Sequence, residues 1–384
     1  MSGWDVVIVG ARVAGAATAM LLAREGLRVL CVDRSRYGSD TLSTHALMRG
    51  GVLQLQRWGL LGPLLASGTP PVRRTVFHYG ADKVGVSIKP AAGVEALYAP
   101  RRTVLDALLV DAARQAGASV EFSAPVVELL RDRGGRTSGV VVQDRRGRST
   151  RVERTDLVVG ADGRDSVVAA EVRAPIEVSG RHAGAYFYGY WAGLPTDGYE
   201  WFYSPQVTAG LIPTNSGLTC LFVGADRARA HSGYAGLSPG LAFARLAREV
   251  GLTDRLATAT RVGSLRNVRG LPPGYLRQAY GRGWALVGDA GHWLDPMSTH
   301  GLTGALRDAE LLTRAVVSDD LSGYQAERDR LSLPMLEIAD RIASYAWDLP
   351  EVRVLLRRLA SAMAEEVEAL GVLAPPAASE SLLA

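Results

Sequence analysis

Three carboxylates each stand just past an apolar, strand-like run: Asp33 after Leu27 to Val32, Asp162 after Val158-Val-Gly160, and Asp289 after Ala285-Leu-Val-Gly288. Such carboxylates can accept hydrogen bonds from sugar hydroxyls, and the ends of strands are where open α/β sheets gather ligands. The turn Gly10-Ala-Arg12-Val-Ala14-Gly15 follows the first apolar run and leads into an Ala/Leu-rich stretch. A turn of this kind needs glycine first for tightness and last for close helix packing, and it aims a helix N-terminus at phosphate. With Asp33 about twenty residues on, the set reads as a dinucleotide site contacted by Gly10, Arg12, Ala14, Gly15, Asp33 and Arg34. A plain βαβ packing turn is the alternative for the loop alone. Arg12 stands where a middle glycine normally lets the backbone approach the phosphates. Either the backbone tolerates a side chain there or the guanidinium itself meets phosphate.

The elements that must position these groups follow from periodicity. Asp5 to Val9, a helix to about Glu25, and Leu27 to Asp33 make a complete βαβ unit. Helices are expected from Gly51 to Trp58 and from Arg102 to Gly117, the latter with one buried face. Val120 to Arg131 and Ser138 to Asp144 read as a hairpin turning at Gly134-Gly135. Between Ile176 and Arg269 aromatics crowd together, in Tyr186-Phe-Tyr-Gly-Tyr-Trp191 and Tyr199-Glu-Trp-Phe-Tyr203. Asn215-Ser-Gly217 there separates two apolar runs as a hairpin turn would. This segment is expected as an inserted antiparallel sheet, with Thr75 to Ile88 as a further part, and the chain beyond Trp284 to Val287 as helix up to about Gly371.

Of 384 residues, 47% are hydrophobic, enough for a large core in two or three lobes. The net charge of +4 is almost wholly arginine, since Lys83 and Lys89 are the only lysines. The arginines are scattered, without a basic stripe or interleaved aromatics, so no nucleic-acid partner is expected. No run is apolar for the length of a membrane span, and no export signal is read, so a cytoplasmic protein is expected. Cys31 and Cys220, each inside an apolar run, are expected as buried free thiols. Nucleophile elbows, metal-ligand spacings and phosphate loops ending in Lys-Ser/Thr are absent from the sequence.

Taken in order, the glycine loop, Asp162-Gly163 and Gly288-Asp289 resemble the three-motif pattern of FAD-dependent group A monooxygenases of the para-hydroxybenzoate hydroxylase type, over most of residues 5 to 340. The resemblance implies an α/β fold with a Rossmann-type FAD-binding domain (1–70, 98–175 and 276–345), an inserted antiparallel-sheet substrate domain (71–97 and 176–275), C-terminal helices (346–373) and a flexible tail (374–384). It implies one FAD, with Asp289 on the ribityl chain and Asp162-Gly163 serving both FAD and a transient NADH or NADPH. It further implies Pro296 beside the isoalloxazine, and amides near Gly301 and Leu302 on the flavin N1 and O2 edge, stabilising charge on reduced flavin. Arg102 matches an arginine that contacts FAD in that family; a surface arginine at a helix start is the alternative. Ser43-Thr44-His45 departs from the family, which has arginine there.

The activity implied is hydroxylation of an aromatic or polyketide-like small molecule, using NAD(P)H and molecular oxygen through a flavin C4a-hydroperoxide; the sequence also allows a homodimer. Because the cofactor carries this chemistry, no acid-base constellation is required of the protein. Pocket candidates are His45, Pro296, His300, Tyr190 and Trp201. Structural readings stand beside them: a buried histidine for His45, a hydrogen-bonding turn residue for His292, and sheet core for the aromatics at period 2. Three rivals remain open. One is a reductase of the geranylgeranyl reductase type, faintly resembled by Gly198-Tyr-Glu-Trp201. Another is a flavin-dependent halogenase, poorly matched by Tyr190-Trp-Ala-Gly-Leu-Pro195. The last is a flavoprotein that binds FAD without redox turnover.

Overall fold

Uninterrupted apolar runs build the centre of the molecule. In the computed structural model, which describes residues 3–374 apart from 42, 233 and 235, a parallel core runs in the order Trp284–Leu286, Thr150–Gly160, Trp4–Val9, Val29–Asp33, Ser119–Phe122. Val6 to Val9, Val29 to Val32, Val158 to Gly160 and Trp284 to Leu286 are apolar on both sides because both faces of the sheet are covered there. Val6 and Ile8 face helices Val13–Arg24, Arg102–Gln115 and Gly301–Ser318, while Val7 and Val9 face the hairpin Val126–Arg131 and Thr137–Gln143. The expected tail lies outside the described residues except for Ala374.

One expected element divides. Val120 to Arg131 is two strands, since Ser119–Phe122 closes the parallel sheet and Val126–Arg131 belongs to the hairpin. Ser123, at φ 56°, and Pro125 lie between them, and proline has no N–H to give a ladder. The strand-like run Val158 to Gly160 is the end of the longer Thr150–Gly160, whose first half pairs with the hairpin and whose second half joins the core.

The aromatic segment forms, among the described residues, a seven-stranded sheet: Thr260–Val268, Gly184–Ala192, Leu218–Asp226, Val207–Pro213, Tyr199–Ser204, Arg74–Tyr79, Asp82–Ser87. All neighbours are antiparallel except Arg74–Tyr79, which joins Tyr199–Ser204 in parallel with Thr75 opposite Tyr199. Asn215–Gly217 makes the expected turn, with Ser216 and Gly217 at φ 63° and 65°. Period-2 alternation sorts the aromatics. Phe187 and Trp191 pack outward beneath helix Pro239–Glu249, on Phe243 and Leu246. Tyr186, Tyr188, Tyr190, Trp201 and Phe222 point the other way, toward the parallel core and the last helix.

That last element is a single helix, Leu349–Gly371, where helices were expected over 346–373. Asp348 caps it by accepting from the Glu351 amide at 2.8 Å, with Pro350 in its first turn. Its stripe Val352, Leu355, Leu359 and Leu370 is buried. Cys31 and Cys220 are buried and free, as expected. Among the described residues no helix is long and apolar enough to cross a membrane.

Candidate functional site

The C-terminal ends of the central parallel strands open onto one cavity of about 460 Å³, a size suited to a small-molecule ligand. Gly10, at φ +102°, turns the chain there. A Cβ on Gly10 would stand 2.5 Å from the Ala161 carbonyl oxygen, and one on Gly15 would stand 1.7 Å from the Gly10 carbonyl oxygen. Strand and helix therefore touch only because both residues are glycine. Arg12 has φ −95° and ψ −163°, an extended conformation that any residue adopts. Its guanidinium donates to Asp106 at 3.1 Å and to Ser39 Oγ at 3.1 Å. Asp106 in turn receives Nε and Nη2 of Arg102 at 2.8 and 3.1 Å. One carboxylate thus holds two arginines against the cavity that both line.

Two helices begin at this cavity with no side-chain cap. Helix Val13–Arg24 starts after Arg12, and helix Gly301–Ser318 starts after His300; neither residue caps its helix. Val13, Ala14, Gly301 and Leu302 line the wall. First-turn amides without partners carry the positive end of the helix dipole, and such ends hold anions.

The three carboxylates behave differently. Asp33 accepts from the Ala11 amide at 2.8 Å and from Ser35 N and Oγ at 2.6 Å each, tying the second strand to the glycine loop. Asp162 accepts from Ser166 Oγ at 2.6 Å and the Val167 amide at 2.7 Å, capping helix Val167–Glu171. Burial nevertheless raises its pKa. Asp289 lines the cavity, and no described residue donates to its carboxylate; burial raises its pKa too. An acceptor left without a protein donor in such a place is suited to ligand hydroxyls.

His45 lines the cavity at a left-handed φ of 68°, a strained conformation for a residue with a side chain. Its Nε2 bonds the Tyr190 hydroxyl, and its Nδ1 has no partner. Burial, then Arg102 and Arg101, hold its pKa well below 6.5, so the ring is neutral. Tyr190 is pushed far up by burial and keeps its proton. If that proton is donated to Nε2, the only unpaired group of the pair is Nδ1–H; the opposite arrangement would orphan two groups. Arg101 lies 3.9 Å above the Tyr190 ring.

The far wall is aromatic and aliphatic: Tyr186, Tyr188, Phe222 and Val268 from the inserted sheet and Leu271 just after it, with Trp293 and Leu294 beside them. Every charged residue that lines the cavity belongs to the parallel-sheet side, among them Arg12, Asp33, Arg34, Arg102, Asp162, Arg164 and Asp289. Arg164 lies over the Trp293 ring at 4.8 Å.

An elongated anionic cofactor with sugar hydroxyls and a planar end fits these donors. A family profile described as "FAD binding domain" matches residues 3–330. The chain belongs to this FAD-binding family. It is thereby a flavoprotein of a flavin-dependent oxidoreductase family. It is 28% identical over 330 residues to a digeranylgeranylglycerophospholipid reductase of Methanothrix thermoacetophila, covering 83% of this chain and 78% of that one. It is 26% identical to a menaquinone reductase of Mycolicibacterium smegmatis, covering 84% and 78%. A 2,4-dichlorophenol 6-monooxygenase of Delftia acidovorans is 28% identical over 45% of this chain and 32% of its own length. Among solved structures, Pseudomonas aeruginosa PqsL in complex with 2-aminobenzoylacetate superposes with a TM-score of 0.79, at 22% identity over 94% of this chain and all of that one. The flavin-dependent brominase Bmp2 does so with 0.77, at 20% identity over 96% and 94%. These structures share the fold.

Most FAD-site candidates from the sequence meet at the cavity: Gly10, Arg12, Ala14, Asp33, Arg34, Arg102, Asp162, Gly163, Asp289, Pro296, Gly301 and Leu302 all line it, as do the pocket candidates His45 and His300. Gly15 and Gly288 lie behind the wall, and the Gly288 amide donates to Asp308 at 3.0 Å. Two pocket candidates are displaced. Tyr190 reaches the cavity only through His45, and Trp201 sits in the aromatic core against Tyr199 and Phe222. Asp106, Phe222, Leu271, Trp293 and Glu366 stand at or behind the site without a sequence pattern that assigns them a role. Asp106 carried a signal, being four residues past Arg102, the spacing of a helical ion pair. Glu366 carried one too, as an acid set in the apolar stripe of its helix.

Proposed function

We propose that this flavoprotein is a monooxygenase that hydroxylates an uncharged aromatic or polyketide-like small molecule, with NADH or NADPH as transient reductant and molecular oxygen as oxygen source. The observation that carries this reading is the split cavity. Its parallel-sheet side has two uncapped helix ends and all the charged lining residues, while its inserted-sheet side is aromatic and uncharged. Bound FAD would supply the redox chemistry and the activation of oxygen.

The protein's part is to bind, orient and exclude water. The Val13 helix end and Arg12 would hold the pyrophosphate, Asp33 the adenosine ribose, and Asp289 the ribityl hydroxyls. The Gly301 helix end would face the pyrimidine edge of the flavin, favouring negative charge there. Tyr186, Tyr188, Phe222 and Trp293 would stack an apolar substrate, and Nδ1–H of His45 would donate to its carbonyl or hydroxyl oxygen. Residues 1–70, 98–175 and 276–345 would then form the FAD-binding domain, and 71–97 with 176–275 the substrate domain.

A second reading is favoured by one observation: two relatives that pair with more than four-fifths of this chain are named reductases. On that reading the same apolar wall would take an unsaturated isoprenoid. The test is to load the protein with FAD, supply NADH or NADPH, and follow oxygen uptake across uncharged phenols, polycyclic compounds and isoprenoid quinones. The proposal expects substrate-stimulated oxygen uptake matched by hydroxylated product. Anaerobic turnover that saturates a carbon-carbon double bond would establish the reductase instead. Oxidation of NAD(P)H without any modified organic product refutes both.

A further inference from the structure

A set of fully buried ionisable side chains lies directly behind the cavity. Nε2 of His300 stands 3.0 Å from both carboxylate oxygens of Glu366. Nη1 of Arg307 donates to Glu366 at 2.9 Å, and its Nη2 donates to Asp308 at 2.8 Å and Ser332 at 2.7 Å. Asp308 pairs with Nδ1 of His292 at 2.9 Å and accepts the Gly288 amide at 3.0 Å. All of these ionisable side chains are at most 3% exposed. The set therefore joins two edges of the flavin cavity, the start of helix Gly301–Ser318 and the turn that carries Asp289.

Glu366 is the member that comes from elsewhere. Its helix, Leu349–Gly371, lies wholly beyond the residues 3–330 that match the family. The helix is fastened where it ends, because Arg57 donates to the Leu370 carbonyl oxygen at 2.6 Å and pairs with Glu310 at 2.9 Å. The space around the carboxylate is closed as well, since a Cβ on Gly50 would stand 2.9 Å from Glu366 Oε1. Burial pushes the Glu366 carboxyl up, but His300 and Arg307 outweigh it and hold it below its ordinary value, so it is ionised. A well-packed apolar replacement of a buried ion pair is often as stable as the pair. Stability alone thus gives no reason for an acid here.

We infer that Glu366 makes the C-terminal helix part of the flavin site, as a positioning residue that holds His300 and, through Arg307, sets the charge felt by the cofactor. The inference rests on the reading that the Gly301 helix end faces the isoalloxazine. Glu366→Gln removes a negative charge behind that end, which favours reduced, anionic flavin and shifts the midpoint potential of bound FAD to more positive values. His300→Gln leaves Glu366 less balanced and shifts the potential the opposite way. Both variants are made in the full FAD-loaded protein, and the potential is read by dye-equilibrated spectral titration, with flavin stoichiometry and melting temperature as controls.

Opposite shifts with stoichiometric FAD support the inference. Unmoved potentials, or shifts of the same sign, overturn it while leaving FAD binding intact. A wild-type protein that takes up no FAD would instead sink the reading on which the inference rests. Should Glu366→Gln fail to fold, the sign of the His300→Gln shift decides alone.

Discussion

Asp289 faces the cavity with no donor to its carboxylate and a pKa raised by burial. A buried carboxyl whose pKa is raised above its unfolded value costs the apoprotein stability at neutral pH, so Asp289→Asn leaves the apoprotein as stable as the wild type or more stable. With FAD bound the sign reverses. A hydrogen bond to a charged acceptor contributes about 1.5–3 kcal/mol, and tenfold in affinity is about 1.4 kcal/mol. Asn keeps an acceptor oxygen but not the charge, so the loss is the difference from a neutral hydrogen bond, about 1–1.5 kcal/mol, and FAD binding weakens roughly 5- to 10-fold if the carboxylate receives one such bond from the ribityl chain. Two measurements read this. Quenching of FAD fluorescence by apoprotein gives the dissociation constant, and melting curves with and without excess FAD give the ligand-dependent stabilisation, which shrinks by about 1–1.5 kcal/mol. An Asp289→Asn protein with unchanged FAD affinity refutes the reasoning. So does one whose apoprotein melts well below wild type, because Asp289 would then be holding the fold.

Other outcomes follow from the same geometry. Gly15→Ala places a Cβ 1.7 Å from the Gly10 carbonyl oxygen, so the glycine-loop helix must lift. The expected cost is about 1–3 kcal/mol or more, together with loss of flavin on gel filtration, and retained yellow protein would contradict it. His45 stays neutral in the folded chain while the unfolded chain takes up a proton below about pH 6.5. Stability therefore falls as pH drops through that value, by up to about 1.4 kcal/mol per unit. In urea unfolding at pH 5 and 7.5, His45→Gln should narrow the difference by about 1–2 kcal/mol, and an unchanged gap would exclude this role. Leu246→Ala empties a fully buried site under the outer face of the inserted sheet, costing about 2–5 kcal/mol. FAD affinity should stay unchanged, because the other face of the sheet lines the cavity.

What the sequence made legible was whatever depends on near neighbours. The glycine loop, the strand ends carrying Asp33, Asp162 and Asp289, and the alternation from Tyr186 to Trp191 are local patterns with fixed periods, and each lies where its pattern placed it. The Ser123 to Pro125 break was legible in principle, since Pro125 interrupts an otherwise strand-like run. Burial on both faces of the inserted sheet hid which aromatics meet the cavity. Tyr188 and Trp201 look alike in sequence, yet only Tyr188 lies opposite Phe222 at the wall. The Glu366 contacts were not legible at all, because its partners are 59 and 66 residues away and periodicity says nothing of distant pairing.

The pairing of Thr75 with Tyr199 bears on how the chain comes to be folded. A strand made early must wait for more than a hundred further residues before its parallel neighbour exists, and such non-local closure is slow. During synthesis the parallel core can form its first βαβ unit at once, while the segment Arg74–Ser87 remains without its sheet. The helix bearing Glu366 is made well after the groups it meets, so His300 and Arg307 wait 66 and 59 residues for that partner. Nascent chains halted before that helix should be the aggregation-prone species in expression, and FAD capture should lag well behind the first appearance of secondary structure.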